Sequence, residues 1–571
     1  MHGRRPALTP RIVWFLALLL SLAGFVLFGR PAAGDCGTHE DVVPIARLAG
    51  LQGEPPADGT PVVIDGTVTG VFPGRDGLNG FFIQHSDDAG PAGIFVYAPG
   101  FTAADWQVVR PGARLRLEGL TGTWRGQPQV HRVHAVHECG DGDLPAASEL
   151  RLPADQERLQ ALRGTLVSLP QTLTVTGNYT LGRFGALKLS AGGRLFRGRV
   201  PEDGRLHRLI LDDGSYAINP EPVPYLDTSG TRRSGDKVRG LSGVLAHAFD
   251  DWRIHPLRPP AFENANPRRE APDRPEGLLL ATFNLENYFI SLGERGAGDR
   301  EGLERQRSKL LSALRRLDAD LLALVEVENR REALADLLHH LNNELPEAKR
   351  YSMLEGPRDT GSDAIKVALL YRPANLEALG SGHSDVDPIH NRPPAIAAFR
   401  DRGNGRSLLV AAVHFKSKTG CPESGDTDRG QGCWNLRRTA QAEALVRSVD
   451  YRARQLGIEA IALAGDFNSY AHEDPVGVLA KAGYVDLVSE RMPEDRRYSY
   501  VFRGEAGTLD YLFVNAVLDQ RVTGVEIWHI NADEPAFLGY DQRGAESEAS
   551  LGQPWRSSDH DPVMMGIDRG R

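Results

Sequence analysis

In the C-terminal half of the sequence, apolar runs repeatedly end on a carboxylate, an amide or a histidine. The residues are Asn284 and Glu286 in TFNLEN, Glu326 in LVEVEN, His414 in VHF, Asp466 and Asn468 in GDFN, Asp510 in LDYLFV, and Asp559 and His560 in SSDHDP. Hard oxygen ligands bind Mg²⁺, while histidines and further carboxylates orient water and move protons. A lone Asp or Asn at a strand end is usually a turn residue, so the prediction depends on the whole ordered set. The set is typical of metal-assisted phosphoryl transfer.

The elements that carry these residues alternate apolar strands with amphipathic helices. Strands are predicted at residues 278–283, 321–327, 365–371, 395–399, 408–415, 460–464, 509–514 and 563–567. Between the first two strands, Leu303, Leu310 and Leu317 fall on one helical face, with Arg and Lys on the other. Strands that are apolar throughout are buried on both faces, which requires covering helices. The sequence therefore predicts an α/β sandwich over residues 277–571.

The N-terminal half differs from the C-terminal half in its pattern of apolar and turn residues. A chain of 571 residues is also too long for one hydrophobic core, so more than one domain is expected. Short alternating strands broken by Gly, Pro, Asn and Asp predict a small closed β domain at 35–140. Residues 141–258 show a similar spacing of short strands and turn residues, which predicts a second β-rich domain. Because 110–133 resembles 233–257, we interpret the two as a weak duplication of an oligonucleotide-binding-type barrel. The Pro- and charge-rich segment 259–276 is predicted to be a linker.

The N-terminus has the features of an export signal. Three arginines precede an apolar run from Ile12 to Phe28, and Ala32, Ala33 and Gly34 supply the small residues of a cleavage site. We expect a signal peptide at 1–34, and secretion or a periplasmic location. An uncleaved N-terminal membrane anchor is the alternative. No later segment is long and apolar enough to span a bilayer, so no other stable membrane partner is expected.

Four cysteines, Cys36, Cys139, Cys421 and Cys433, agree with export, because an even number in an oxidising compartment usually forms disulfides. Three pairings are open. Proximity in sequence favours Cys421 with Cys433, which leaves Cys36 with Cys139. A zinc site is the rival interpretation, but no pair has metal-ligand spacing with a nearby histidine.

Composition and charge exclude several classes of protein. Hydrophobic residues make up 41% of the chain and charged residues 25%, which is typical of a globular protein rather than a disordered or polytopic membrane protein. The net charge of -9 does not suggest a protein that coats nucleic acid. An enzyme that cleaves nucleic acid needs only a locally favourable groove. The sequence does not predict an oligomeric state.

The ordered motifs TFNLEN, LVEVEN, VHFKSK, GDFN, LDYLFV and SSDHDPV resemble the endonuclease/exonuclease/phosphatase superfamily. The upstream barrel, DAIKVALLYRP and GDTDRGQGCWNLRR together resemble the secreted bacterial extracellular nuclease branch of that superfamily. The resemblance implies a four-layer α/β sandwich catalytic domain, preceded by one or two small all-β barrel (OB-like) domains. It also implies metal-dependent hydrolysis of phosphodiester bonds, with DNA preferred over RNA as the nucleic acid partner.

The same resemblance implies a role for each motif residue. Asn284, Glu326 and Asp559 would hold Mg²⁺, with Mn²⁺ or Ca²⁺ as alternatives. The remaining five would act on water and phosphate. Asp466 and Asn468 would orient the attacking water and the phosphate, Asp510 would polarise His560, and His414 would be the second histidine of the site. A buried carboxylate that holds a histidine raises its basicity and fixes its tautomer.

The candidate phosphate-binding residues are Arg392 in NRPP and Arg437 and Arg438 in NLRR, because a guanidinium binds phosphate bidentately. Base stacking is an alternative to core packing for five aromatic residues of the first β domain. They are Phe81, Phe82, Phe95, Tyr97 and Trp124.

The loop at 420–434 contains Asp426 and Asp428 between two cysteines. Alternating carboxylates in a Gly-rich loop could bind calcium, but a stapled surface loop beside the substrate groove is favoured.

The sequence thus predicts a secreted, metal-dependent nuclease that cleaves extracellular DNA. A secreted phospholipid phosphodiesterase or phosphomonoesterase of the same superfamily is the alternative enzyme. An alternative of another class is a binding protein whose catalytic domain has degenerated, although all eight predicted metal-binding and catalytic residues are present.

Overall fold

The computed structural model describes residues 36, 41–87, 90–541 and 552–570. The predicted signal peptide at 1–34 lies outside these residues. Within the described part of the chain, no helix is both long enough and apolar enough to cross a membrane. The strands form a closed barrel and sheets of three, nine, six and seven strands.

The first β region is a closed five-stranded barrel with strand order β1-β2-β3-β5-β4. Its elements are α1 (Ile45–Leu48), β1 (Pro61–Phe72), β2 (Gly80–Asp87), β3 (Gly90–Tyr97), α2 (Ala103–Val108), β4 (Ala113–Trp124) and β5 (Gln127–Asp141). Side chains alternate across β2, so Phe81 and Ile83 fill the barrel core while Phe82 packs outward with Phe95. Phe82 and Phe95 meet Val244 of the next region, which makes them packing residues between the two regions.

The second β region is an open sheet rather than a second barrel. Its elements are β6 (Ser148–Glu149), α3 (Gln156–Leu162), β7 (Leu166–Leu169), β8 (Leu173–Gly177), α4 (Leu181–Phe184), β9 (Ala186–Ala191), β10 (Leu195–Phe196), β11 (Arg208–Asp212), β12 (Lys237–Arg239), β13 (Leu241–Ala248), β14 (Asp251–Pro256) and β15 (Ala261–Glu263). The nine-stranded order is β15-β12-β8-β9-β11-β14-β13-β7-β6. The duplicated sequence pattern corresponds to the strand pairs β4–β5 and β13–β14. Whether each sheet closes into a barrel depends on strands that lie far away in the sequence. Strand β1 closes the barrel on β4, whereas β7 and β11 extend the open sheet.

The segment predicted to be a linker is ordered against its neighbours. Strand β15 pairs with β12, and Arg268 and Arg269 bind Glu534 and Glu526 of the C-terminal region. Its Pro-rich, charged composition does not reveal that these arginines reach carboxylates of the C-terminal region.

The C-terminal region is a mixed α/β unit. Its strands are β16 (Leu278–Tyr288), β17 (Leu321–Glu328), β18 (Ser352–Met353), β19 (Ile365–Tyr371), β20 (Leu376–Ala378), β21 (His383–Ser384), β22 (Ala395–Asp401), β23 (Ser407–His414), β24 (Ile461–Asp466), β25 (Tyr484–Asp486), β26 (Tyr500–Phe502), β27 (Glu505–Gly507), β28 (Asp510–Asn515), β29 (Val522–Ile527) and β30 (Val563–Ile567). Its helices are α5 (Arg300–Leu317), α6 (Arg331–Asn343), α7 (Asn435–Leu456), α8 (Asp474–Lys481), α9 (Leu487–Arg491) and α10 (Ala516–Asp519), with 3₁₀ helices at Glu347–Lys349, Glu494–Arg496 and Ala536–Leu538. All eight predicted strands overlap observed strands.

Two sheets of this region share one apolar core. The six-stranded sheet has the order β18-β19-β17-β16-β30-β29, and the other runs β20-β22-β23-β24-β28-β25 with β21 on β22. Leu280 and Val325 of the first sheet pack with Val410 and Leu512 of the second. Helices α5 and α6 cover the outer face of the first sheet, and α7 and α8 cover that of the second. Helix α5 begins where Asp299 accepts a hydrogen bond from the backbone of Gly302.

Candidate active site

Three neighbouring strands of the second sheet place His414, Asp466 and Asp510 in one row. Strand β23 runs parallel to β24 with His414 opposite Asp466, and β24 runs antiparallel to β28 with Asp466 opposite Asp510. All three side chains are buried. Residues that are 52 and 44 positions apart in sequence therefore meet because each one stands at the same edge of the sheet.

The GDFN motif forms a tight turn at the end of β24. At Gly465 a Cβ atom would lie 1.9 Å from the backbone oxygen of Val413, so no larger residue fits there. Asp466 accepts a hydrogen bond of 2.8 Å from the backbone of Asn468, which has a left-handed φ of 48°. The side chain of Asn468 donates to the backbone oxygen of Phe415. The turn thus fixes the direction of the Asp466 carboxylate.

His560 is held by Asp510 through a hydrogen bond of 2.7 Å at Nδ1. Ser499 donates its hydroxyl to the same Asp510 oxygen, and the ring of Tyr500 stacks on His560 at 4.6 Å. Burial opposes a charge on the imidazole, but Asp510, Asp559 and Asp466 overcome it and hold the pKa of His560 well above its ordinary value. His560 is therefore a protonated donor in the metal-free site. Sequence reasoning missed Tyr500 because an aromatic residue in a short strand gives no catalytic signal.

A second network shapes the SSDHDP loop. Asn531 accepts from the backbone of Ser557 and Ser558 and donates to the backbone oxygen of His560. Asp561 accepts from the backbone of Asn531 and lies 2.9 Å from His529. Both networks are buried, and they hold the loop that carries Asp559 and His560. Asn531 and His529 carry no recognisable motif, so the sequence analysis did not single them out.

The first sheet contributes a group of carboxylates from Glu286, Glu326 and Asp559. Glu286 and Glu326 both have left-handed backbone conformations at the ends of β16 and β17, with φ of 51° and 62°. Burial and the neighbouring charges, led by Asp559, raise the pKa of Glu286 to about 8. Burial and Asp559 also raise the pKa of Glu326. One Glu286 oxygen is buried without a hydrogen-bond partner among the described residues.

The charge of this group suits a divalent cation, although among the described residues only Asp466, Asp510 and His560 have ligand atoms within 4.8 Å of one another. Three half-buried carboxylates that repel each other, one with a buried unpaired oxygen, are stabilised by a hard cation that accepts oxygen ligands. The geometry favours Glu286 over Asn284 as the ligand from β16. The Asn284 amide donates to Asp466 at 3.3 Å and accepts from the backbone of Glu286, so it bridges the two groups of acidic side chains. The sequence could have indicated Glu286, because it stands two residues after Asn284 in the same motif.

His414 lies between the two groups. Its Nε2 is 3.5 Å from an Asp466 oxygen and 3.9 Å from a Glu326 oxygen. Burial, followed by the charges of Arg392 and His560, lowers the pKa of His414 well below its ordinary value, so this histidine is neutral. Burial and the nearby Asp510 raise the pKa of Asp466 to about 7, against the opposing effect of His560. Atoms of Asp466, Asp510 and His560 also lie within 4.8 Å of one another. Since His560 is hydrogen-bonded to Asp510, we interpret this cluster as the proton-transfer group.

The three arginines predicted to bind phosphate have structural contacts. Arg438 is fully buried and donates to the backbone oxygens of Cys433, Lys416 and Gln431. Arg392 is buried beside the site and donates to the backbone oxygens of His414 and Phe415.

Arg437 is only partly buried, and it donates to Asn391 and to the backbone oxygen of Pro388. The structure therefore does not bring these arginines together as a phosphate clamp. Guanidinium groups satisfy buried carbonyls as well as phosphates, and sequence does not distinguish the two uses.

The two disulfides join Cys36 to Cys139 and Cys421 to Cys433. Between the second pair, Asp426 accepts from the backbone of Leu436 and Arg437 at the start of α7. Asp428 accepts from the backbone of Gly430 and Gly432. Both carboxylates stabilise the loop and the helix start, which favours a stapled loop over a calcium site.

The paired sheets bring these acidic and histidine side chains together at one edge of the strands. Residues 281–560 match the model of the Endonuclease/Exonuclease/phosphatase family, so this part of the chain is a domain of that family. The family consists of hydrolases that act on phosphodiesters or phosphate esters, typically with divalent metals. No curated protein matches the sequence.

Solved structures are similar to about half of the chain. The human Nocturnin catalytic domain with bound sulfate is 15% identical and covers 52% of this chain and 96% of its own, with a TM-score of 0.35. An endonuclease/exonuclease/phosphatase from Bacteroides vulgatus is 16% identical over 51% of this chain and 99% of its own, with a TM-score of 0.34. The mannosyl-6-phosphatase Bt3783 from Bacteroides thetaiotaomicron is 17% identical over the same shares of 51% and 99%, with a TM-score of 0.34.

Proposed function

We propose that the chain is an exported, metal-dependent nuclease that hydrolyses phosphodiester bonds of extracellular DNA, with RNA as the alternative nucleic acid. The observation that carries the proposal is the position of His414, whose Nε2 is 3.9 Å from Glu326 and 3.5 Å from Asp466, which in turn clusters with the His560–Asp510 pair. A phosphodiester bound across these groups would meet a protonated histidine, a water acceptor and a cation site together.

Glu286, Glu326 and Asp559 would hold Mg²⁺, or Mn²⁺ in its place. When bound, the cation supplies positive charge that stabilises the negative charge developing on the phosphate oxygens. Burial and then the charge of Asp559 raise the pKa of Glu286 and of Glu326, and a bound cation would oppose both effects, so that these two carboxylates would be ionised.

The side chains of the second sheet carry out the proton movements. Asp466, fixed by the backbone of Asn468, accepts a hydrogen bond from the attacking water and orients it. Protonated His560, held by Asp510, donates to a phosphate oxygen and stabilises the charge that forms there. Neutral His414, 3.5 Å from Asp466, would donate a further hydrogen bond to the phosphate.

The nucleic acid part of the proposal is supported by the N-terminal region and the sequence motifs. The closed barrel has the strand order β1-β2-β3-β5-β4, which we interpret as oligonucleotide-binding-type topology. We also interpret the two packed sheets with their outer helices as a four-layer α/β sandwich. Export is supported by the pattern of residues 1–34 and by two disulfides, which persist in oxidising compartments.

The test is digestion of supercoiled plasmid by the purified mature protein with Mg²⁺, with excess chelator, and with the variant His560→Ala. We expect nicking with Mg²⁺, no nicking with chelator, and a loss of at least about 100-fold in His560→Ala, the size of a general acid–base contribution. The matched control is His339→Ala, because His339 is exposed on α6.

Intact plasmid with every divalent metal would reject the nuclease proposal. Hydrolysis of a phosphomonoester or a phospholipid in the same preparation would then identify the substrate class. Loss of plasmid cleavage in His339→Ala as well would show that the His560 effect is not specific.

A further inference from the structure

A cavity of about 490 Å³ lies between the barrel and the nine-stranded sheet, away from the residues of the candidate active site. Phe82, Phe95 and Trp124 line it from the barrel, and Ile210 and Phe249 line it from the sheet. Its volume lies in the range of small-ligand sites, which are apolar clefts with a few placed polar groups.

Large apolar side chains are exposed at this cavity. Five of the exposed large hydrophobic residues found in the described part of the chain line it. They are Trp124 (39% exposed), Tyr216 (40%), Phe184 (44%), Phe249 (47%) and Ile218 (63%). The Trp124 ring is 5.6 Å from that of Tyr216 and 5.2 Å from that of Phe249, both edge to face. A concentration of exposed aromatic rings in one concave place is typical of a ligand site.

The inner end of the cavity is polar. Arg253 binds the Asp212 carboxylate at 2.5 Å and donates to the backbone oxygen of Ala248. The Arg253 Nε and the His255 Nδ1 are buried without a hydrogen-bond partner among the described residues, although His255 lies 3.3 Å from Asp212.

Arginine side chains lie on the aromatic rings of this cavity. The Arg125 guanidinium is 5.8 Å and that of Arg253 5.4 Å from the Phe249 ring, and Arg183 is 5.2 Å from the Phe184 ring. Arg125 and Arg183 are exposed to solvent. Aromatic platforms combined with arginines are the means by which proteins bind unpaired nucleic acid strands, because bases stack and phosphates bind guanidinium groups.

We propose that this cavity binds an unpaired nucleobase of a single-stranded segment of nucleic acid. The base stacks on Trp124 and Phe249, and the flanking phosphates contact Arg125 and Arg183. A hydrocarbon chain would fill the apolar walls but would gain nothing from the arginines that lie on the aromatic rings. The inference rests on the proposed function for its choice of nucleic acid, and it deepens that function by naming the strand form that the protein prefers to bind.

The test measures binding without cleavage. Fluorescence anisotropy of a labelled single-stranded oligothymidine and of a blunt duplex is recorded in excess chelator for the full mature protein. We expect Trp124→Ala and Phe249→Ala to weaken single-strand binding roughly 5- to 100-fold, the range for losing one stacked base, with duplex binding unchanged. Trp124→Phe should restore most of the affinity, because a ring remains. Tyr451→Ala, which removes an exposed ring on α7, is the matched control.

The cavity proposal and the nuclease proposal can be rejected separately. Hydrolysis of bis(p-nitrophenyl) phosphate with Mg²⁺ should be the same in Trp124→Ala and wild type, since the cavity lies outside the catalytic groups. Equal oligonucleotide affinity in wild type and both alanine variants would overturn the cavity proposal even if plasmid is cleaved. A variant that loses affinity for a fluorescent fatty acid but not for the oligonucleotide would also overturn it. Ring-dependent oligonucleotide binding without plasmid cleavage would support the cavity and reject the nuclease.

Discussion

The surroundings of Glu286 disfavour the negative charge of its carboxylate. Its side chain is half-buried, one carboxylate oxygen is buried without a hydrogen bond among the described residues, and the charges around it are led by Asp559. A pKa raised to about 8 shows that burial and repulsion disfavour its ionised form. A divalent cation would reverse this balance, which makes Glu286 sensitive to metal in both activity and stability.

We expect Glu286→Gln to lower kcat/KM with Mg²⁺ by at least roughly 100-fold, because an amide is a weaker cation ligand than a carboxylate. The same variant should melt at the same or a higher temperature than wild type in chelator, because it removes a buried acid. Nuclease kinetics across a Mg²⁺ titration and thermal melting provide the two measurements. Glu490→Gln, at an exposed position, is the control. A wild-type rate at every Mg²⁺ concentration would remove Glu286 from the site.

Asp213, at the end of β11, gives a pH prediction away from the active site. Burial, followed by the charge of Asp212, raises the pKa of Asp213 to about 7. The folded state therefore binds more protons than the unfolded state between about pH 4 and 7, and its stability falls as pH rises through that window. Asp213→Asn should remove this contribution, so its melting temperature relative to wild type should increase from pH 4.5 to 7.5. A constant difference across that range would contradict the prediction.

The turn after β24 depends on a glycine at Gly465. A Cβ there would overlap the backbone oxygen of Val413, on the neighbouring strand β23. The same strand pair aligns His414 with Asp466, so a shift in either strand moves both groups.

Gly465→Ala should therefore destabilise the protein by about 3 kcal/mol, at the upper end of overpacking effects, and should lower nuclease activity as well. Thermal melting and kinetics of the purified variant test this expectation. Gly477→Ala is the control, because Gly477 lies in α8 with no atom within 4 Å of an added Cβ and should change stability by no more than about 1 kcal/mol. Equal melting temperatures for the two variants would disprove the steric argument.

The two halves of the described chain are joined by a buried ionic network. Glu534 accepts hydrogen bonds from Thr231, Arg233 and Arg268, and neighbouring Asp533 binds Arg194. Burial opposes the charge, but the two arginines beside Glu534 hold its pKa below the ordinary value. The small sheet β10-β27-β26 joins the same two regions. The network lies a few residues from Asn531, so docking of the regions and the shape of the SSDHDP loop are connected.

Glu534→Ala should cost about 3–5 kcal/mol, because it removes the carboxylate that pairs with half-buried Arg268 and leaves buried Arg233 only the 3.4 Å ion pair with Asp533. We expect a lower melting temperature together with reduced activity. Arg239→Ala breaks the exposed pair with Glu263 and should cost about 1 kcal/mol or less. Comparison of the two melting curves tests the prediction, and similar small shifts in both would show that the network contributes little.

The sequence was sufficient for features encoded in short segments. Apolar runs of strand length identified the strands of the C-terminal region, and the leucines of α5 face its core as their spacing indicates. The motif residues His414, Asp466, Asp510 and His560 do meet in one site, because strand-end residues share an edge once the strands pair. Proximity in sequence also indicated the disulfide pairs.

Features that depend on distant pairing were decided only by the tertiary structure. Whether a β region closes is set by which remote strand pairs with its edge, so two similar patterns gave a barrel and an open sheet. Whether an arginine binds a phosphate or a buried carbonyl depends on what packs around it, as Arg392 and Arg438 show. The metal-binding character of Glu286 arises in the same way, because its charge is costly only when folding buries it beside Asp559. Local pattern specifies elements and residue types, whereas burial and charge proximity are properties of the folded chain.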